Sequence, residues 1–73
     1  MDNLLRRALD NKQKLEMIYL SEKGEYSQRV VRIVEVKEHV FLAFCYTKRA
    51  VRRFKKVQVL SILPYKKGKQ DFA

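Results

Sequence analysis

The side chains with the most chemistry to offer in this chain are cations set among aromatics. Arg29 and Arg32 interrupt a Val/Ile-rich run. Phe41, Phe44 and Tyr46 follow in one apolar stretch, and Arg49, Arg52, Arg53, Phe54, Lys55 and Lys56 crowd together shortly after it. Small β-barrels bind single-stranded nucleic acid with this combination, because cations track the phosphates while bases stack on aromatic faces. Each residue type also has a plainer use. Phe41, Phe44 and Phe54 would fill a core equally well, and arginines decorate any solvated face. Arg29 and Arg32 are flanked by valine, and a guanidinium is not buried without a partner, so both stand available at a groove wall.

Other chemistries find little support. A metal site needs several His, Cys or carboxylate ligands at suitable spacing, and the chain has one His and one Cys. His39 falls in a polar turn and reads as solvent-facing, and Cys45 falls in an apolar strand and reads as a small core residue. Cys45 has no second cysteine to resolve an oxidised form. Ser21, Ser27 and Ser61 lack the base and orienting acid that nucleophilic catalysis requires. Glu16, Glu22, Glu25, Glu35 and Glu38 read as solvated charges in or beside turns. Gly24 and Gly68 stand too far apart to form a phosphate-binding glycine loop. The expectation is a binding protein, not an enzyme, with no cofactor and no metal.

The charge is placed unevenly. The formal net charge is +9, yet residues 1–47 hold eight Lys/Arg against seven Asp/Glu, whereas residues 48–73 hold nine against Asp71 alone. Such asymmetry is the usual footprint of a polyanionic partner. With a single cysteine no intrachain disulfide can staple so small a domain, which points to a reducing compartment. The N-terminus lacks the apolar stretch of a signal peptide. The longest apolar run, Val40 to Tyr46, falls far short of the roughly 20 residues that span a bilayer. A cytoplasmic protein with no membrane partner is expected.

The elements that must position the cations follow from periodicity. Asp2 or Asn3 can cap a helix over residues 3–11 that puts Leu4, Leu5, Ala8 and Leu9 on one face, with Asn11 as its left-handed terminator. Leu15, Met17 and Tyr19 then alternate along a first strand, and Ser21–Glu25 forms a hairpin loop around Gly24. A second strand runs from Tyr26 to Val36, and Lys37-Glu38-His39 turns the chain. Val40–Tyr46 is apolar at every position, as in a central strand covered on both sides, which assigns Leu42 and Phe44 to the core. After Thr47-Lys48-Arg49 come a fourth strand from Ala50 to Phe54 and a fifth from Val57 to Leu63, which Pro64 ends. One short helix and five short strands pack most economically as a small antiparallel SH3-like or Sm-like barrel with the helix over one opening. Closing the sheet would also remove its exposed edges. Residues 1–65 are expected to form a single domain and residues 66–73 a mobile basic tail.

This order of elements resembles the WYL domain, the Sm-like module of many bacterial transcription regulators. The resemblance rests on the helix Leu4–Leu9, then Leu15-Glu16-Met17-Ile18-Tyr19, then Arg29-Val30-Val31-Arg32-Ile33. It continues through Val40-Phe41-Leu42-Ala43-Phe44-Cys45-Tyr46, Arg52-Arg53-Phe54-Lys55 and Val57-Gln58-Val59. The naming tripeptide appears as Val40-Phe41-Leu42, without its Trp. Ile33 stands where the family usually has a Pro, and Gln58 where it has a basic residue. The resemblance implies a stand-alone or excised module that senses nucleic acid or a nucleotide through a basic groove. Carried over position by position, the ligand residues are Tyr19, Arg29, Arg52, Phe54 and Lys55, with Arg32, Lys48, Arg49, Arg53 and Lys56 as a supporting basic surface.

The reading that results is a regulatory module for single-stranded DNA or RNA, or for a nucleotide-like anion. Arg29 and Arg52 would contact phosphate, and Tyr19 would stack or hydrogen-bond. A rival of another class is a protein-assembly module, a homodimer or a docking barrel that pairs through its edges or through Leu4, Leu5 and Leu9. A third is a translation-linked RNA binder.

Overall fold

The computed structural model describes residues 1–65; the expected tail over residues 66–73 lies outside them. Helix α1 spans Asp2–Asn11 and buries Leu5 and Ala8, with Leu4 and Leu9 packed against the same core. Its start differs from expectation. The N-cap is Met1, whose side chain makes no capping bond, and the Leu5 N–H donates to the Met1 carbonyl at 3.0 Å. Asp2 therefore lies inside the first turn, where its charge complements the helix dipole. The terminator is Lys12, at φ 55°, and not Asn11. The N–H of Gln13 returns to the Ala8 carbonyl and that of Lys12 to the Leu9 carbonyl. This paired closure puts the left-handed residue one place beyond Asn11.

Five strands follow: β1 (Lys14–Leu20), β2 (Tyr26–Val36), β3 (Val40–Cys45), β4 (Ala50–Lys55) and β5 (Val59–Pro64). They form one antiparallel sheet in the order β4-β3-β2-β1-β5. The β1–β2 hairpin turns on Gly24 at φ 84°, a region closed to most side chains. There the Ser21 Oγ accepts the N–H groups of Lys23 and Glu25. Val34 is an extra residue where the β2–β3 register slips between Ile33 and Glu35. A second slip, between Ile18 and Tyr19 opposite Leu60, bends β1 against β5. Such bulges sharpen the bend that rolls a small sheet toward a barrel.

Strand β3 corrects the expectation of a strand covered on both faces. Phe41, Ala43 and Cys45 are buried, whereas Leu42 and Phe44 are only half-buried. A single rolled sheet has one dry face, so alternate residues must divide between core and exterior even where all are apolar. The inner face carries Leu15, Met17, Val31, Ile33, Phe41, Ala43, Cys45 and Phe54, and α1 adds Leu5 and Ala8. The fifth strand is also shorter than expected. Lys56–Gln58 forms a 3-10 turn, and β5 begins at Val59. Pro64 is the last strand residue, opposite Leu15. Among the described residues no ladder joins β4 to β5, so the closure expected of a barrel is incomplete along this seam.

Candidate anion-binding site

At the seam, side chains do what a backbone ladder would have done. The Tyr19 hydroxyl accepts the N–H of Lys55 at 3.0 Å and donates to Gln58 Oε1 at 3.1 Å. Gln58 Nε2 in turn donates to the Leu20 carbonyl at 2.9 Å. One phenol and one amide thus bridge β1, β4 and the 3-10 turn. They also supply a partner to a β4 edge N–H that would otherwise depend on water.

Beside this bridge lies a groove. On β2, residues 29, 31 and 33 share the inward register; Val31 and Ile33 fill the core, and Arg29 emerges half-buried at the barrel's end. On β4, Arg52 and Phe54 stand opposite Ala43 and Phe41, on the same side of the sheet. Tyr19 closes one wall from β1, with Ser21 at the hairpin. Lys48 approaches from the β3–β4 turn, and Arg53 completes a hollow of about 350 Å³. The structure thereby brings together Tyr19, Arg29, Arg52 and Phe54, and adds Lys48 and Arg53 from the supporting set.

The Arg29 guanidinium is held from behind by neutral acceptors. Its Nε donates to Ser27 Oγ at 3.1 Å and its Nη1 to Cys45 Sγ at 3.5 Å. Cys45 is fully buried. Burial disfavours its ionisation, but the backbone N–H groups of Lys48 and Thr47 and the Arg29 charge outweigh this and hold the thiol below its ordinary value. No carboxylate lines the groove. Among the described residues Arg29, Lys48, Arg52 and Arg53 make no ion pair with an acid. A half-buried cation without a counter-ion is costly unless something supplies negative charge. Arg29 is the half-buried one; Lys48, Arg52 and Arg53 are exposed around the same hollow, so four cations and no acid line it.

The remaining sequence-derived residues are placed elsewhere. Lys55 Nζ pairs with Glu22 at 2.8 Å, and that hydrogen bond raises the lysine's pKa. Lys56 is a strut. Its side chain is 12% exposed; the ammonium reaches Asp2 Oδ1 and the Glu38 carbonyl, each at 3.0 Å, and the backbone N–H donates to the His39 carbonyl. Arg32 is exposed on the outer face, in register with Phe44 and Lys14. Arg49 occupies the β3–β4 turn at φ 55°. Phe54 is at the groove but only 4% exposed, with its ring stacked on Phe41 at 5.6 Å and met edge-on by Tyr19 at 5.0 Å.

From the sequence, Ser27 and Cys45 have no assigned place at the groove, and Gln58 is noted only as standing where the WYL pattern has a basic residue. The spacing of Ser27 and Arg29, two apart on one strand, is a signal that both share a face. The Cys45 contact depends on the β2–β3 register, and the Gln58 contact on the 3-10 turn, so neither had a local signal.

No protein-family model matches the chain, and no curated protein matches it. Among the described residues no helix is long and apolar enough to cross a membrane, and no three of His, Cys, Asp and Glu converge as metal ligands would. One solved structure, the proteasome accessory factor B/C (PafBC) of Arthrobacter aurescens, is similar in fold. The TM-score is 0.78 at 25% sequence identity, over 86% of this chain and 11% of that one. The helix-then-five-strand order is the one that the WYL resemblance implies.

Proposed function

We propose that this chain is a WYL-type regulatory module that binds single-stranded nucleic acid, or a nucleotide-like anion, in the groove between Tyr19 and Arg52. The observation that carries the reading is Arg29: half-buried, oriented by Ser27 and Cys45, and facing a hollow with three further cations and no acid. Guanidinium groups held in this way recognise phosphate oxygens with directed, charge-assisted hydrogen bonds. The likeness to PafBC, in which the matched fold is 11% of the chain, supports a module that can serve within a larger protein. A cytoplasmic, transcription-linked role follows from that reading.

The test is a fluorescence-anisotropy titration with short single-stranded DNA, single-stranded RNA and duplex DNA at two salt concentrations. Binding of a single strand that weakens steeply with salt is expected, because each phosphate contact releases counterions. Absence of binding by any strand at low salt would refute the nucleic-acid reading.

The protein-assembly alternative has its own observation. Leu60 and Leu63 are 52% and 58% exposed on the edge strand β5, where a second chain could pair. The helix route loses its residues, since Leu5 is buried and Leu4 and Leu9 pack on the core. Salt-insensitive dimerisation in sedimentation would favour this alternative.

A further inference from the structure

We infer that the groove reads the phosphodiester backbone and is blind to the base. The inference rests on the nucleic-acid reading above and narrows it. To read a base, a site must either stack it or match its edge, and edges present donors as well as acceptors. The groove offers no free aromatic face for the first and few free acceptors for the second. Phe54, its natural stacking platform, is 4% exposed, one face on Phe41 and the other side met by Tyr19. The half-exposed aromatics Phe44 and Tyr46 pack edge-to-face on each other, and neither lines the groove.

The neutral polar groups are committed as well. The Tyr19 hydroxyl accepts from Lys55 and donates to Gln58, and the Gln58 amide uses both its ends at the seam. Ser21 Oγ already accepts two backbone N–H groups, and Ser27 Oγ accepts from Arg29. What the side chains turn toward the hollow is therefore chiefly a set of donors on Arg29, Lys48, Arg52 and Arg53, beside hydroxyl oxygens that already accept hydrogen bonds. Donors alone fit a ligand that is all acceptor, and a phosphodiester is such a ligand. Guanine O6 and N7 are the base edge that an arginine fork most often reads, which sets the sharpest counter-test.

The experiment compares fluorescein-labelled strands of about eight nucleotides, within the site size of small barrels. They are oligothymidylate, an abasic phosphodiester strand, a guanine-containing strand, and a thymidine strand with uncharged methylphosphonate linkages. A stacked base is worth on the order of 5- to 150-fold in affinity, so the abasic strand should bind within about threefold of oligothymidylate. The methylphosphonate strand should not bind, and Arg29→Met should weaken the three charged strands equally, whereas Arg32→Met on the outer face should weaken none of them. Loss of the abasic strand alone, or a guanine-containing strand bound more than about tenfold tighter, would overturn base-blindness while leaving the nucleic-acid reading in place. Equal weakening by Arg32→Met would overturn it too, since the binding would then belong to diffuse charge. If no strand binds to the folded protein, both readings fail.

Discussion

Replacing Arg29 by Met removes one positive charge and keeps the aliphatic stem, and Arg32→Met does the same to the net charge of +9. The two differ only in position: Arg29 is half-buried at the groove and Arg32 is exposed on the opposite face of β2. A hydrogen bond to a charged group contributes about 1.5–3 kcal/mol, so Arg29→Met should weaken single-strand binding by roughly 10- to 150-fold at 25 °C. Losing one phosphate contact should also lower the salt slope by about 0.7. Between 50 and 200 mM salt, that makes the variant's loss of affinity about 2.6-fold smaller than the parent's. Arg32→Met should stay within about threefold of the parent, because an exposed point charge in high dielectric contributes little. Stability should move little in either case. Arg29 loses bonds to Ser27 and Cys45, but a guanidinium without a counter-ion is also removed from a partly desolvated site. Anisotropy titrations at several salt concentrations, with thermal melts of each variant, read all these quantities. Equal effects of the two substitutions would refute the groove, and so would a melting temperature for Arg29→Met low enough to account for the lost binding.

Two further outcomes test the fold that supports the site. Phe41→Ala should cost about 3–5 kcal/mol, as for a fully buried aromatic, which is most of the stability of so small a domain. Phe44→Ala on the half-buried outer face should cost clearly less, and urea titrations that reversed the order would show the sheet's faces to be exchanged. At low pH, the hydrogen bond from Lys56 holds the Asp2 carboxyl below its ordinary value of 3.8. The folded state therefore takes up this proton less readily than the unfolded chain. The pair's stabilisation is present above about pH 4 and fades as pH falls through the depressed folded-state value. Asp2→Asn should melt lower than the parent near neutrality and converge with it toward pH 2; a constant gap across that range would show that the ion pair contributes nothing.

The fold was legible wherever periodicity met punctuation. Strand β2 runs Tyr26–Val36 as its Val/Ile run suggests, because Ser21–Glu25 and Lys37–His39 bracket it with turn residues. Strand β3 was ambiguous because Val40–Tyr46 is apolar in both phases, so alternation had nothing to act on. Its inner face is chosen by pairing, with Val31 opposite Cys45 and Ile33 opposite Ala43. The turn over Lys56–Gln58 was hidden by Val57, an apolar residue inside an apparent strand that is in fact 89% exposed. At the groove, Tyr19, Arg29, Arg52 and Phe54 were nameable from the WYL-like order of motifs. Their convergence follows from each taking the inward register near one end of the sheet. The roles of Lys55 and Lys56 were not legible, because Glu22, Asp2 and the Glu38 carbonyl come to them from distant parts of the chain.

The seam and the groove share one residue, Tyr19. Among the described residues no ladder joins β4 to β5, and the 3-10 turn at Lys56–Gln58 lies between them in the chain. The edge N–H of Lys55 then needs a partner from a side chain, and Tyr19 supplies one. That commitment uses the only phenol at the groove, leaving the cations as its free hydrogen-bonding groups apart from serine hydroxyls already serving as acceptors. Tyr19 is thus a strut and a groove wall at once, and the hydrogen bonds that tie β1 to β4 leave the cations as the main free side-chain chemistry of the hollow. On the proposed reading, that is what fits the groove to an anion.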